Sequence, residues 1–317
     1  FLLRKRGDQL FGSKKNFAGL AIEDRVLRYL ELGGQVDNLR VQNRTEINLP
    51  QDAVRQDAIS NIQALESALA SLKGRLGAKM AGNISLGVPS RDVFIRIVDM
   101  PRMPMEDAKN AFKWDFEKHI PFPALDAVFD VAEVDHPQSE DPDQMKLMVA
   151  ASKTRTIEVL MESLKRTGFN VSSIEPVNMS MYRSVLSPIS PFSSGVLGIF
   201  VGKDTTQFIV GYKDNGIIYR SILGGYETEV QKFKDLMVRE ASSTLSFVSS
   251  QLRALNIETI ILGGELPDKD NIQSLLNAEL SLNVQISDPW GTWGISDSGE
   301  KPAGWDAAIG LSVRDLR

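Results

Sequence analysis

Three apolar runs near the middle of the chain are separated by short polar turns. The first run covers 196–201 and ends at Gly202, and the second, which is rich in β-branched residues, covers 205–210. The turn at 213–216 contains an Asn-Gly pair, which two-residue hairpin loops favour, and a third run follows at 217–223. The pattern predicts an antiparallel meander of three strands.

A similar pattern lies near the start of the chain. Residues 19–32 show a short apolar strand, a polar turn and a second strand. Two similar units about half a chain apart indicate two related lobes that face each other. Ligands usually bind in the cleft between such halves, so we expect the functional site there.

Helical periodicity occupies much of the remaining sequence. Leucines spaced by three and four residues predict an amphipathic helix within 52–80, and a second apolar row predicts one within 104–120. A helix, two strands and a helix between 104 and 168 form a compact unit that interrupts the first half. A long helix or a pair of helices is predicted at 227–255, and a buried strand at 259–264 ends in two glycines.

Composition excludes several classes of function. The 317 residues include 36 Lys and Arg against 41 Asp and Glu, a net charge of −5, which gives no basis for a nucleic-acid-binding face. The chain has no cysteine, and its two histidines, His119 and His136, lack the spacing of a metal site. No apolar run reaches the ~20 residues that span a bilayer, so we expect a soluble protein.

The turn at Gly202 has two interpretations. Glycine permits close backbone approach, so N–H groups of a strand-loop-strand turn can converge on an anion such as phosphate. The same residue also suits a simple tight turn. The turn alone leaves both interpretations open.

Five segments, taken together and in this order, resemble a known family. They are Arg-Ile-Val-Asp-Met-Pro-Arg-Met-Pro-Met at 96–105, Glu-Lys-His-Ile-Pro-Phe at 117–122, Met-Val-Ala-Ala-Ser-Lys at 148–153, Gly-Phe-Asn-Val-Ser-Ser-Ile-Glu-Pro at 168–176 and Gly-Leu-Ser-Val-Arg at 310–314. The chain is thereby similar to the actin-like ATPase superfamily and, within it, to the type IV pilus assembly protein PilM family, related to FtsA. The resemblance implies a duplicated α/β fold of actin-like (ribonuclease H-like) type. Its first lobe would cover 1–187, interrupted by an inserted subdomain at about 100–170, and its second lobe 188–317.

The resemblance also implies where a nucleotide would bind, if one binds at all. The matching positions are Gly202, Thr205 and Thr206 in the second phosphate loop, Glu240 on a helix, and Gly263 and Gly264 under the adenosine.

The acidic positions of this family's site are not retained. The acidic residue and the glycine of the first phosphate loop fall at Ala21 and Glu23, and the aspartate that would hold a metal-bound water falls at Phe200. Phosphoryl transfer needs carboxylates that place Mg²⁺ and the attacking water. We therefore expect no catalytic residue, no metal site, and no cofactor beyond weakly bound ATP with Mg²⁺. Asp24 and Asp204 can take the place of the missing acidic residues only if the match to the family shifts by one residue at each loop.

The resemblance implies a protein partner. PilM-like proteins hold the cytoplasmic N-terminal tail of a PilN-like inner-membrane protein in a groove beside the inserted subdomain. The local residues that we predict for this groove are Phe94, Arg96, Met100, Phe122 and Phe129. Core packing is the favoured interpretation of Phe94 and Phe129, whereas Arg96, an arginine within an apolar run, is harder to explain by packing. The expected location is the cytoplasm, peripheral to the inner membrane through the partner.

Proteins with three other functions have the same class of fold. An active ATPase of pilus assembly would use the nucleotide positions above to switch partner affinity. The cytoplasmic part of a type II secretion L protein would bind a secretion ATPase without nucleotide. A sugar kinase fits least, because Phe200 occupies the nearest position for its carboxylate base.

Overall fold

The computed structural model describes residues 17–36, 38–77, 80–138, 141–186, 192, 194–297 and 299–316. The strands are β1 Phe17–Ile22, β2 Val26–Gln35, β3 Asn38–Asn48, β4 Val54–Arg55, β5 Ala58–Ile59, β6 Ile84–Val88, β7 Phe94–Pro101, β8 Ala127–Glu133, β9 Gln144–Lys153, β10 Val171–Pro176, β11 Gly195–Val201, β12 Thr205–Tyr212, β13 Asn215–Leu223, β14 Ile257–Gly264 and β15 Asn283–Ile286. The α-helices are α1 Ile62–Leu76, α2 Met105–His119, α3 Thr154–Arg166, α4 Val177–Ser184, α5 Val230–Gln251, α6 Lys269–Leu280, α7 Pro289–Thr292 and α8 Asp306–Ser312. The lobe boundary predicted at 187–188 lies outside the described residues.

Two five-stranded sheets repeat one topology. Their strand orders are β10-β6-β1-β2-β3 and β15-β14-β11-β12-β13, so each strand of one sheet has an equivalent in the other. In both sheets three antiparallel strands adjoin two parallel strands. The meander predicted in the second half and the strand pair predicted near the start are both confirmed. We call the parts built around these sheets the first and second lobes.

Helices α4 and α8 join the lobes where they pass closest to each other. A Cβ built on Gly310 of α8 would lie 1.8 Å from the carbonyl oxygen of Ser180 in α4. Only glycine allows the two backbones to approach this closely. Met181, Ile309 and neighbouring apolar side chains form a buried core between the helices and both sheets.

The first-lobe sheet is covered on its outer face by α1. Asn61 caps this helix by accepting hydrogen bonds from the N–H groups of Gln63 and Ala64, each at 3.1 Å, and the helix ends at Leu76, followed by Gly77 with φ of 61°. The caps set the two ends of this helix inside the 52–80 stretch in which a helix was predicted. Helix α3 packs in the same core, through side chains such as Leu160 and Leu164.

The inserted part contains a three-stranded antiparallel sheet of order β7-β9-β8. Helix α2 covers this sheet with the buried side chains of Phe112 and Phe116. Strand β7 lies before the predicted helix at 104 and contacts both lobes, because Ile95 packs against the core of the first lobe and Ile97 against that of the second. Among the described helices, none is both long and apolar enough to cross a membrane.

Candidate functional site

The cleft between the lobes is nearly closed. Its walls include the β1–β2 turn of the first lobe, the β11–β12 turn of the second lobe, and the segment after β14. The cavity that remains has a volume of about 30 Å³. Such a volume holds roughly one water molecule, so a phosphate chain does not fit without separation of the lobes.

Asp24 fills the position at which the second-lobe turn would receive an anion. Its Oδ2 accepts hydrogen bonds from the N–H of Asp204 at 2.9 Å, the N–H of Thr205 at 3.0 Å and the hydroxyl of Thr205 at 3.1 Å. A Cβ at Gly202 would lie 3.1 Å from the same oxygen, so the turn and the Asp24 carboxylate are packed closely together. Burial raises the pKa of Asp24, and these hydrogen bonds oppose the shift.

Arg28 is a second link across the cleft. This buried guanidinium donates from Nη1 to Glu23 Oε1 and from Nε to Glu46 Oε2, both at 3.0 Å, and from Nη2 to Glu265 of the second lobe. Glu23, predicted to face a bound phosphate, is therefore neutralised by an internal ion pair. Burial raises the pKa of Glu23 to about 7, although Arg28 acts in the opposite direction.

The structure brings some predicted nucleotide residues to this cleft. Gly202, Thr205 and Gly264 line the closed cavity. Gly263 lies in a neighbouring cavity of about 340 Å³ at the carboxyl ends of β14 and β15, beside the buried ring of Trp290. The space near the predicted adenosine turn is thus larger than the space near the predicted phosphate positions.

The other predicted positions have contacts elsewhere. The hydroxyl of Thr206 is buried and donates to the carbonyl oxygen of Gly224 at 2.7 Å. Glu240 accepts a hydrogen bond from Arg220 of β13 at 2.8 Å, away from the cavity lining. The ring of Phe200 is buried between the lobes and supplies no polar atom to the cleft.

A separate groove lies between β7 and β13, which are edge strands of different sheets. We call it the edge groove, and its volume is about 330 Å³. Its lining residues are Ser90, Arg91, Val93, Phe94, Ile95, Arg96, Asn178, Tyr219 and Ser221. An edge strand presents backbone N–H and C=O groups that an added strand can pair with.

Two buried polar atoms belong to residues of the edge groove. Ser90 Oγ and Asn178 Oδ1 have no hydrogen-bond partner among the described residues, although Ser90 is only 6% and Asn178 only 3% exposed. A buried polar atom without a partner costs about 1–3 kcal/mol, so a bound group that pairs with it is favoured. No sequence motif marks either residue.

The predicted partner residues divide between the edge groove and the adjacent core. Phe94 and the exposed Arg96 line the groove. Phe122, Phe129 and Met100 contribute to the core of the inserted part, where the rings of Phe94 and Phe122 lie 5.5 Å apart.

Comparison with known proteins gives the family context. The family model for the type IV pilus assembly protein PilM matches residues 19–221, more than half of the chain. A solved PilM–PilN type IV pilus biogenesis complex is similar with a TM-score of 0.79 and 18% identity, over 96% of this chain and 100% of the other. The cytoplasmic domain of EpsL, an inner-membrane component of the type II secretion system of Vibrio cholerae, is similar with a TM-score of 0.51 and 12% identity, over 95% and 94%. Ethanolamine utilization protein EutJ of Carboxydothermus hydrogenoformans has a TM-score of 0.50 and 8% identity, over 95% and 90%. These similarities show that the fold is actin-like.

Proposed function

Because this chain belongs to the type IV pilus assembly protein PilM family, we propose that it acts as a protein-binding adaptor of a type IV pilus assembly platform. Its partner would be the cytoplasmic N-terminal tail of a PilN-like inner-membrane protein, bound in the edge groove. The similar solved structure is itself a PilM–PilN complex. We place the protein in the cytoplasm, held at the inner membrane through this partner.

The observation that supports this proposal is the edge groove itself. An extended peptide can pair its backbone with β7 or β13, while Phe94 offers an apolar contact. A backbone N–H of the peptide can donate to Asn178 Oδ1, and a carbonyl oxygen can accept from the hydroxyl of Ser90. Exposed Arg96 at the rim provides a positive charge for a partner carboxylate or carbonyl oxygen.

We propose further that the interlobe cleft is a degenerate nucleotide site and not the site of ATP hydrolysis. The active-ATPase alternative requires space and free hydrogen-bond donors at the β11–β12 turn. The small cavity and the bonds from the turn to Asp24 favour the adaptor.

Titration of the protein with a synthetic tail peptide, followed by calorimetry, tests the adaptor proposal. We expect saturable binding that Arg96→Glu and Asn178→Ala each weaken about tenfold, because each removes one polar contact. Arg253→Glu, a matched charge reversal at an exposed position of the second lobe, should leave the affinity unchanged. Absence of saturable binding, or equal affinity of all variants, would reject the edge groove as the docking site.

A further inference from the structure

The tip of the β12–β13 hairpin in the second lobe contacts the inserted part through the side chain of Asn215. Its Oδ1 accepts a hydrogen bond from the backbone N–H of Asp135 at 3.0 Å, and its Nδ2 donates to the backbone C=O of Asp135 at 2.9 Å. The amide therefore pairs with both backbone groups of one residue, as a residue of a neighbouring antiparallel strand does. Lys213 of the same hairpin adds an ion pair to the Asp135 carboxylate at 2.9 Å. We call these three contacts the Asn215 clasp.

Both sides of the clasp belong to ordered elements. Asn215 is the first residue of β13, and the buried Tyr182 of α4 donates to the carbonyl oxygen of Lys213 at 3.2 Å, which holds the turn in place. Asp135 lies two residues after Glu133, the last residue of β8. The clasp therefore joins the second-lobe sheet to the sheet of the inserted part without a long loop on either side.

The same two sheets supply the walls of the edge groove. Strand β13, which begins at Asn215, carries Tyr219 on one wall, and β7 carries Phe94 on the other. Strand β7 belongs to the three-stranded sheet whose β8 leads to Asp135. Neither Asn215 nor Asp135 is among the described residues that line the groove. The separation of the walls thus depends on the clasp, although the clasp gives no contact to a peptide in the groove.

We propose that the Asn215 clasp fixes the width of the edge groove, so that the groove is preformed for one extended peptide strand. The peptide is the tail of the proposed adaptor function, on which this inference rests. A preformed groove gives up less conformational freedom on binding, which favours affinity. The ion pair is about half exposed on both sides and is screened by salt, whereas the two amide bonds are neutral. Asn215 is therefore a positioning residue for the tail.

The width of the groove can be measured without a peptide. Because the chain has no cysteine, spin labels on Arg96→Cys and Leu223→Cys mark one exposed position on β7 and one on β13. Electron spin resonance should give a narrow distribution of distances between the labels, and Asn215→Ala should broaden it. Asn256→Ala is the matched control, because this exposed amide bonds to Glu258 within the second lobe. Equal distributions with and without Asn215→Ala overturn the proposal.

Calorimetry with the tail peptide measures the consequence for binding. We expect Asn215→Ala to weaken the affinity about tenfold, and Asn256→Ala to leave it unchanged. Asn215→Asp keeps the shape of the side chain but should weaken binding as much, because a carboxylate cannot donate to the Asp135 carbonyl. An affinity of both Asn215 variants equal to that of the natural protein counts against the clasp.

A covalent link distinguishes positioning from damage to the fold. Asp135→Cys with Asn215→Cys replaces the clasp by two thiols, which a short bis-maleimide reagent joins. The linked form should recover most of the lost affinity, and the unlinked form of the same chain should bind as weakly as Asn215→Ala. Equally weak binding by both forms contradicts the proposal. If the natural protein does not bind the tail peptide, the adaptor proposal fails, and the label distances alone decide whether the clasp fixes the groove.

Discussion

Gln207 of the second lobe donates from Nε2 to Oδ2 of Asp57 in the first lobe, at 2.8 Å. Both residues are buried, and the backbone N–H of Ser90 donates to the other oxygen of the same carboxylate at 3.0 Å. Asp57 therefore connects the edge groove, which Ser90 lines, with the closed cleft, which Gln207 lines. Burial raises the pKa of Asp57, and its hydrogen bonds counteract that shift.

Loss of the Gln207 donor should weaken the contact between the lobes. We expect Gln207→Leu to lower the free energy of unfolding by about 1–3 kcal/mol, because a buried carboxylate loses a hydrogen bond. Urea unfolding followed by circular dichroism measures the change. Gln231→Leu is the control at an exposed helical position and should change stability by less than about 0.5 kcal/mol. Equal stability of the two variants would contradict the prediction.

Glu23 should make stability depend on pH. Burial raises its pKa from 4.5 to about 7, even though Arg28 lowers it, and Asp24 and Asp306 add to the increase. Between these values the folded protein binds more protons at this group than the unfolded chain does. Its contribution to stability therefore falls as pH rises from about 4.5 to 7, by at most about 1.4 kcal/mol per pH unit, and is constant above that window.

Urea unfolding of Glu23→Gln at pH 5, 6, 7 and 8 tests this prediction. We expect a smaller loss of stability between pH 5 and 7 than in the natural protein, because the amide does not titrate. Glu106→Gln makes the same change of charge at an exposed position and serves as the control. Parallel pH profiles for the natural protein and Glu23→Gln would show that the group does not contribute as proposed.

The crossing of α4 and α8 should not tolerate a side chain at Gly310. A Cβ there overlaps the backbone of Ser180, so the two helices must separate. We expect Gly310→Ala to destabilise the protein by about 2 kcal/mol or more. Gly74→Ala on helix α1 should have the opposite effect on stability, because nothing lies within 4 Å of a Cβ built at this position. We expect it to stabilise the protein by about 0.5–1 kcal/mol, since alanine favours the helix more than glycine does. Thermal unfolding of both variants checks the predicted opposite signs.

ATP should bind the natural protein weakly at most. The cavity beside the β11–β12 turn is about 30 Å³, and its donors are already bonded to Asp24. Calorimetry with ATP and Mg²⁺ should show no saturable binding at micromolar nucleotide, and phosphate release should equal that of buffer. Micromolar affinity together with turnover that Thr206→Ala abolishes would instead establish the active-ATPase alternative.

The sequence predicted the parts of the protein that local pattern controls. The alternation between 195 and 223, with its Asn-Gly turn, specified the meander of β11, β12 and β13, and leucine spacing specified α1. These predictions succeeded because side-chain period and turn chemistry act within a few residues along the chain. The resemblance also assigned Gly202 and Thr205 to a phosphate loop; the structure brings both residues to the interlobe cleft, and their role there stays a prediction.

Only the tertiary structure decided how those positions interact. Asp24 and Thr205 are 181 residues apart, and no local pattern predicts that the carboxylate of one fills the turn of the other. The edge groove likewise arises where strands of two separate sheets approach each other, which brings Ser90 and Asn178 together from distant segments. Whether a buried polar atom has a hydrogen-bond partner depends on the neighbours that folding places beside it. The sequence therefore determined which hydrogen-bonding groups were present, and the tertiary packing determined which of them have no partner within the described residues.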